Sequence, residues 1–333
     1  MLNIGIIGYG YWGPFLARNF NNHTQCRLKV ISDLNEDRLE KAQRQYPQAH
    51  ISKDLAPIYA EEIDVVAIAT PTITHYELAK EALLHNKHVW IEKPMTSTSA
   101  EARKLIDLAK QQGKLLLVDH TFLFTSSVQK LKELIRDGVL GDLFYYDSIR
   151  VNLGLFQHDV NVIWDLAPHD LSIVDYLIDE RPKAISACAK DHFQTGFEDV
   201  AYLTLFYEND FISHFHLNWL SPVKIRRIII GGSQKMIVWD DINPEEKIRI
   251  YDKGATIESR KSEYGLRANY RMGDIVSPAI LEREALFSEV DHFVNCIQNN
   301  VSPINDGASG LRIIQLLEAT DESIRHNGKM IEL

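Results

Sequence analysis

The chain has 333 residues, 45% of them hydrophobic and 25% charged, and a formal net charge of -10. That length is too great for one ordinary core and predicts about two domains, while the composition is that of a globular protein and excludes disorder. The acidic balance argues against a nucleic-acid partner, whose phosphates need clustered Lys and Arg, although it leaves room for a local basic pocket.

Three isolated cysteines, Cys26, Cys188 and Cys296, match neither a disulfide framework nor a paired zinc motif, which points to a reducing cytoplasm. The amino terminus opens on a strand pattern, without the basic segment and apolar core of a signal peptide. No apolar stretch approaches the roughly 20 residues that span a bilayer, so a soluble protein with no membrane partner is expected.

A β-branched run, Ile4 to Ile7, leads into GYGYWGP, in which Gly8, Gly10 and Gly13 form GxGxxG. The helical stretch FLARNFNN and the strand CRLKVISD follow, the latter ending in Asp33. In a strand, turn, helix unit each glycine has its own physical role. Gly8 permits the bend, Gly10 lets pyrophosphate approach the backbone, and Gly13 lets helix and strand pack closely. Pro14 suits a first helical turn, where a missing N–H costs nothing. Tyr9, Tyr11 and Trp12 complete the expected cofactor loop. Asp33, at a strand end 20 residues beyond Gly13, is placed to accept hydrogen bonds from an adenosine ribose. A carboxylate there repels a 2′-phosphate and neither Leu34 nor Asn35 offsets it, so NAD is expected over NADP, with Arg38 the residue that argues the other way.

Alternation continues through NEDRLEKAQRQY (helix), IDVVAIAT (buried strand), HYELAKEALLHN (helix), HVWIEKP (strand), SAEARKLIDLAKQQG (helix) and KLLLVDH (strand). Strands and helices taking turns through about residue 121 imply a doubly wound parallel sheet with its ligand beyond the strand carboxyl ends. Two such ends, TPTITH (Thr70, Pro71, His75) and EKP (Glu92, Lys93, Pro94), join the expected cofactor site. Lys93, fixed before a proline, is a candidate catalytic cation; alone, the tripeptide reads sooner as an ordinary surface lysine.

The helix TSSVQKLKELIRDG and the strand DLFYYDSIRVN come next, followed by VIWDLAPHDL. On a helix, Asp165 and His169 are four residues apart and share a face. They could meet one ligand, or Asp165 could cap the helix while His169 is a satisfied, partly buried histidine. The strands AISACAKDHF, DVAYLTLFY, FISHFHLNWL, KIRRIIIGG, KMIVWDD and KIRIYDKG then have short connections, including the turn END, and read as an antiparallel sheet. His214 and His216 alternate onto one strand face beside Trp219 but lack a convincing third zinc ligand, and no metal is expected. Lys224, Arg226 and Arg227 suit a diphosphate or a solvated face. Asn152 and Asn161, with Trp164, are candidate substrate contacts, though loop asparagines also make local turns. Two late helices carry Leu286, Phe293, Ile313 and Leu317 at core spacing.

The glycine turn, TPTITH, HVWIEKP and WDLAPHD, in that order and approximate spacing, resemble the Gfo/Idh/MocA family, named for glucose-fructose oxidoreductase and inositol dehydrogenase. The resemblance covers essentially the whole chain. It implies a dinucleotide-binding Rossmann domain over 1–121 and, over 122–333, an α+β domain with a large, mainly antiparallel open sheet for substrate binding and oligomerisation, as a homodimer or homotetramer. It also implies that Lys93 lies near the nicotinamide and that Asp165 and His169 complete the catalytic site. His169 would then be the general acid/base, Asp165 would orient it or bind a hydroxyl, and Lys93 would stabilise charge on the carbinol oxygen. Many relatives have glycines before the Asp and between Asp and His, where this chain has the bulkier Trp164 and Pro168. The implied activity is an NAD(H)-dependent sugar dehydrogenase or reductase acting at a ring hydroxyl such as C3, on a nucleotide-linked sugar first and on a free sugar or myo-inositol second. A non-catalytic NAD(P)-sensing regulator is the reading from another class.

Overall fold

The computed structural model describes residues 1–154, 160–258 and 267–333. It divides into two units, Met1–Thr125 with Arg283–Glu318, and Ser126–Glu282 with Ala319–Leu333.

In the first unit the strands are β1 (Leu2–Ile7), β2 (Cys26–Ser32), β3 (His50–Ser52), β4 (Val65–Ile68), β5 (His88–Ile91) and β6 (Leu116–Val118). They alternate with α1 (Gly13–Asn22), α2 (Glu36–Gln45), α3 (His75–Leu84) and α4 (Ser99–Gln112). The strands pair in parallel in the order β3-β2-β1-β4-β5-β6. The order of strand addition therefore reverses between β1 and β4, and the crevice beyond their carboxyl ends is the place where such a sheet takes a ligand. The helix ends are chemically marked. Thr98 caps α4 by accepting from Glu101 N, and Gly113 closes it at φ 62.

Both faces of this sheet are covered. On β5, Val89 and Ile91 pack with α3 and α4, whereas Trp90 joins Phe20 of α1 on the other side. The helix α7 (Ala285–Asn299) also belongs there, since Leu286, Val290, Phe293 and Val294 enter the same cluster as Ile4, Ile6 and Trp90. Phe293 and Trp90 meet edge to face, with ring centroids 5.7 Å apart. The expected cut after residue 121 is thus replaced by a discontinuous unit. Helical periodicity identified Leu286 and Phe293 as core, but not which core they enter.

The second unit contains α5 (Ser126–Arg136), β7 (Leu143–Leu153), α6 (Val162–Leu177), β8 (Ala184–Lys190), β9 (Val200–Phe206), β10 (Ile212–Asn218), β11 (Leu220–Gly232), β12 (Met236–Asp240), β13 (Ile248–Glu258) and β14 (Arg267–Val276). The last helix, α8 (Gly307–Arg325), runs from the first unit into this one, and β15 (Ile331–Glu332) ends the chain. The nine strands are ordered β14-β13-β12-β11-β7-β10-β9-β8-β15, antiparallel except where β10 pairs with β7. Period-two alternation gives the sheet two characters. Phe215, Leu217, Ser148 and Arg150 are buried on the side that carries α6, while Tyr145, Asp147, Tyr202, His214 and His216 are on the other. No helix of the described residues is long and apolar enough to cross a membrane.

Truncating Phe293 should destabilise the first unit through its loss from the shared core. Phe293→Ala is expected to cost about 3–5 kcal/mol in urea denaturation, and a cost below about 1 kcal/mol would remove α7 from that core.

Candidate active site

The glycine turn is built by backbone contacts that a side chain would prevent. A Cβ on Gly8, which sits at φ +93, would lie 2.4 Å from Ala69 O, and one on Gly13 would lie 2.2 Å from Gly8 O. At Gly10 the nearest group is instead the Arg38 guanidinium, 3.6 Å away, so this position is open for a phosphate to approach. These residues fit a dinucleotide pyrophosphate. Asp33 Oδ2 accepts from Tyr9 N at 2.6 Å and Oδ1 accepts from Asn35 N at 2.8 Å, which ties the end of β2 to the turn. Tyr11 is 85% exposed on the loop, and its ring neighbours those of Trp12 and Phe15.

The ends of β4 and β5 are joined by His75. Its Nε2 is 2.8 Å from Thr70 O and its Nδ1 is 2.9 Å from Pro94 O, and it is 1% exposed. Burial pulls its pKa down against the two carbonyls, which favour the charged ring. His75 is therefore a strut between the two turns; with both nitrogens engaged, it does not have the free edge expected of a cofactor contact. Thr70 packs on Gly8, and its hydroxyl bonds Thr74 at 2.7 Å, while Pro71 O accepts from Thr74 Oγ1. Lys93 N donates to Glu92 Oε2 at 3.2 Å, and the Lys93–Pro94 peptide is cis.

Behind this turn Glu92 meets two carboxyl groups that sequence reasoning missed, Asp119 and Glu289. Asp119, just past β6, accepts from the indoles of Trp12 (2.8 Å) and Trp90 (3.3 Å) at one oxygen and from Thr121 at the other. Glu289 of α7 accepts from His120 N and Asn305 Nδ2. Burial first, and the Asp119 charge second, push both Glu92 and Glu289 well above the carboxylate range. The sequence signal that could have found Asp119 is a charged residue at a parallel strand's carboxyl end.

In the second unit α6 begins one turn earlier than an Asp165 cap would require. Asn161 is the N-cap, its Oδ1 accepting from Ile163 N (3.1 Å) and Trp164 N (3.0 Å) while its Nδ2 donates to Glu198 at 2.9 Å. Asn161 thus has a structural role, and Pro168 lies inside the helix rather than in its first turn. Asp165 and His169 are half-buried on successive turns. The indole of Trp219, itself 2% exposed, donates to Asp165 Oδ2 at 3.2 Å. On the residue after His169, Asp170 receives a two-pronged bond from Arg150 of β7, at 2.8 and 2.9 Å, with both side chains buried. That fork fixes the rotation of α6 on the sheet. Trp164 turns away to donate to Asp321 at 2.8 Å, so its polar atom is engaged within the unit rather than offered to a substrate.

Strand alternation separates the three expected cations. Arg226 lies across from Arg150, on the α6 side, and burial followed by the Arg150 charge lowers its pKa. Arg227 is on the opposite face, bonded to Asp240 at 2.8 Å, and with Lys224 it lines a separate cavity of about 450 Å³. Asn152 shares the Arg150 side of β7 by alternation. His214 and His216 stack on Tyr202, with His214 Nδ1 3.1 Å from Thr204 Oγ1. Among the described residues no group of three His, Cys, Asp or Glu side chains is arranged to hold a metal.

The family model described as an oxidoreductase with an NAD-binding Rossmann fold matches residues 2–120, and the Gfo/Idh/MocA C-terminal domain model matches residues 128–238. The chain belongs to the Gfo/Idh/MocA family. An uncharacterised oxidoreductase of Escherichia coli K12 is 30% identical over 74% of this chain and 73% of its own. UDP-N-acetylglucosamine 3-dehydrogenase of Acidithiobacillus ferrooxidans is 27% identical over 94% of each chain. An Agrobacterium radiobacter oxidoreductase solved with NAD+, L-tartaric acid and magnesium shares the fold at a TM-score of 0.84, with 18% identity, over 99% of this chain and 98% of that one. This Gfo/Idh/MocA chain is an oxidoreductase with NAD as its cofactor.

The carboxyl cluster makes stability of this Gfo/Idh/MocA fold pH-dependent. Glu289 has a folded-state pKa above the ordinary 4.5, so its contribution is fully present below that value and is lost as pH rises through the folded-state pKa. Glu289→Gln removes this titration while keeping a hydrogen-bond donor toward Asp119. The variant should therefore gain stability relative to the parent in denaturation curves taken from about pH 5 to about pH 8; a constant difference across that range would mean that the carboxyl titrates normally.

Proposed function

We propose that this oxidoreductase moves hydride to or from a ring CH–OH or ketone carbon of a sugar, with a nucleotide-linked sugar as the first substrate class. The observation that carries the reading is the placement of Asp165 and His169 one turn apart on a helix whose rotation is held by the Arg150 fork and whose carboxylate is held by Trp219. Anchoring of this kind keeps a proton-transfer group aligned through the reaction. The nucleotide-linked class is supported by the substrate named for the A. ferrooxidans relative, which this chain matches nearly end to end, and by Arg226 on the α6 side of the sheet, where an arginine fork suits a diphosphate.

In this reading His169 exchanges the hydroxyl proton, Asp165 orients the imidazole or binds a neighbouring hydroxyl, and Lys93 stabilises negative charge on the carbinol oxygen. NAD, when bound, supplies the hydride acceptor or donor. Gly10 and the turn around it hold the pyrophosphate, Asp33 meets the adenosine ribose, and the turns at Thr70 and Glu92 border the nicotinamide end. The three cysteines, all free, suit a cytoplasmic location.

A panel of nucleotide sugars, free sugars and inositols assayed for NAD reduction and NADH oxidation tests the reading. Turnover is expected on UDP-sugars, with kcat falling by about 10²–10⁴-fold in both Lys93→Ala and His169→Ala. Turnover that survives both changes overturns the roles, turnover on free sugars or inositols alone overturns the nucleotide-linked class, and NAD binding without turnover on the whole panel favours a sensor.

The sheet face opposite α6 suits assembly of a homodimer or homotetramer, because it leaves Tyr202 and Ile212 substantially exposed on adjacent strands. Ile212→Asp should shift the chain to monomer in sedimentation, and an unchanged mass would place the contact elsewhere.

A further inference from the structure

The loop between β8 and β9 lies against the amino-terminal end of α6. Glu198 O accepts from Val162 N at 2.9 Å and its side chain accepts from Asn161, so this residue is tied to the helix that carries Asp165 and His169. The next residue, Asp199, continues the buried alternation of Ala201, Leu203 and Leu205 on the α6 side of the sheet and is 1% exposed. Its carbonyl accepts from Trp219 N at 3.0 Å, and Trp219 is the residue whose indole holds Asp165. Two links, one through Trp219 and one through the helix cap, therefore set Asp199 at the end of the sheet where Asp165 stands.

The Asp199 carboxylate is engaged by a histidine. Oδ2 accepts from His192 N at 2.8 Å and Oδ1 meets His192 Nδ1 at 2.6 Å, so one buried group fixes both the backbone and the ring. The imidazole side chain is itself 54% exposed. A ring that gives its Nδ1 proton to a carboxylate presents, when neutral, a lone pair at Nε2. No described residue bonds that nitrogen. The turn itself is closed by Asp191, which accepts from Thr195 N and Gly196 N, so the ring is held in place without being spent on the loop. A buried carboxylate that orients an outward-facing imidazole is how a binding group is kept in register with its ligand.

We propose that His192 is a sugar-binding residue of this oxidoreductase, its Nε2 accepting a hydrogen bond from a ring hydroxyl other than the one oxidised. Asp199 is the positioning residue that sets the ring and its tautomer. This assignment rests on the reading of the α6 end of the sheet as the sugar site, and it does not depend on whether a nucleotide is attached to the sugar. No proton is transferred at His192, and the hydroxyl it meets stays intact.

Two measurements test it. In the first, which needs no turnover, diethyl pyrocarbonate is applied to the full chain with NAD present, and acylation of each histidine is read by peptide mass spectrometry with and without each sugar and nucleotide sugar. A compound that binds should slow labelling of His192 by about tenfold at about ten times its Kd, where about a tenth of the site is empty. The exposed His50 and His326 should be unchanged, and UDP alone should not protect His192. In the second, kinetics are measured on whichever compound turns over. His192→Ala should raise KM by about tenfold while kcat changes by less than about threefold, the signature of one lost hydrogen bond to bound substrate. His192→Gln, whose Oε1 can accept, should lie between Ala and the parent, and Asp199→Asn should raise KM in the same sense. The His192 variants, on an exposed ring, carry the test if Asp199→Asn does not fold. Failure of every compound to protect His192 overturns the proposal, and so does equal protection by UDP alone or a fall in kcat at unchanged KM in His192→Ala. Protection of His192 together with turnover that survives Lys93→Ala and His169→Ala would overturn the catalytic roles and leave this contact standing.

Discussion

Close approach of backbone to backbone at the first turn is the constraint from which the cofactor-binding half follows. Gly13 lies against the carbonyl of Gly8, and Gly8 lies against that of Ala69 at the end of β4, at separations no Cβ could enter. This contact brings α1 onto β1 and sets the β1 turn beside the β4 turn, where the strand order reverses. The open position at Gly10 is a consequence of that packing: a place where backbone amides can meet phosphate because no side chain fills it. Asp33, Thr70 and His75 then secure the neighbouring strand ends to the same corner.

Two buried polar assemblies give the units their orientation within themselves. In the first unit Asp119 collects two indoles and lies beside Glu92, just past β5, and Glu289 of α7, so that the turn preceding Lys93, the loop around Trp12 and a helix far along the chain are joined at one point. In the second unit the Arg150–Asp170 fork performs the same service for α6. Desolvating such a pair consumes much of its attraction, so its value lies less in net stability than in geometry: a helix so pinned cannot rotate without leaving a buried charge unpaired. Apolar packing alone would tolerate small rotations of α6, and with them small displacements of Asp165 and His169.

Much of this was legible beforehand where the signal is local. Alternating strands and helices, the GxGxxG turn and the Asp at the second strand end specify the parallel sheet and its crevice. The hairpin-spaced strands after residue 184 specify an antiparallel partner sheet, which the nine-stranded order bears out apart from the parallel β10–β7 pair. Asp165 and His169 share a helix face because about 3.6 residues make a turn. The readings that changed concern side chains whose partners are distant in sequence. Asn161 is a cap, Trp164 bonds Asp321, His75 is a strut and the Arg226–Arg227 pair is split across the sheet. Residue type tells what a group can donate or accept, and neighbours in space tell whether it already has done so.

The sequence by itself determined the order and kind of most elements, though not β3, β14 or β15, together with the family, the cofactor-binding turn and the helical spacing of the DxxxH pair, because each is written in periodicity or in residues within a few positions of one another. Tertiary structure alone decided that α7 completes the first unit, that three carboxyl groups from residues 92, 119 and 289 meet, and that Trp219 and Arg150 hold the helix of Asp165. Those contacts join segments up to 197 positions apart, between Glu92 and Glu289. Chain connectivity places no limit on which such segments meet; the packing of two hydrophobic cores does.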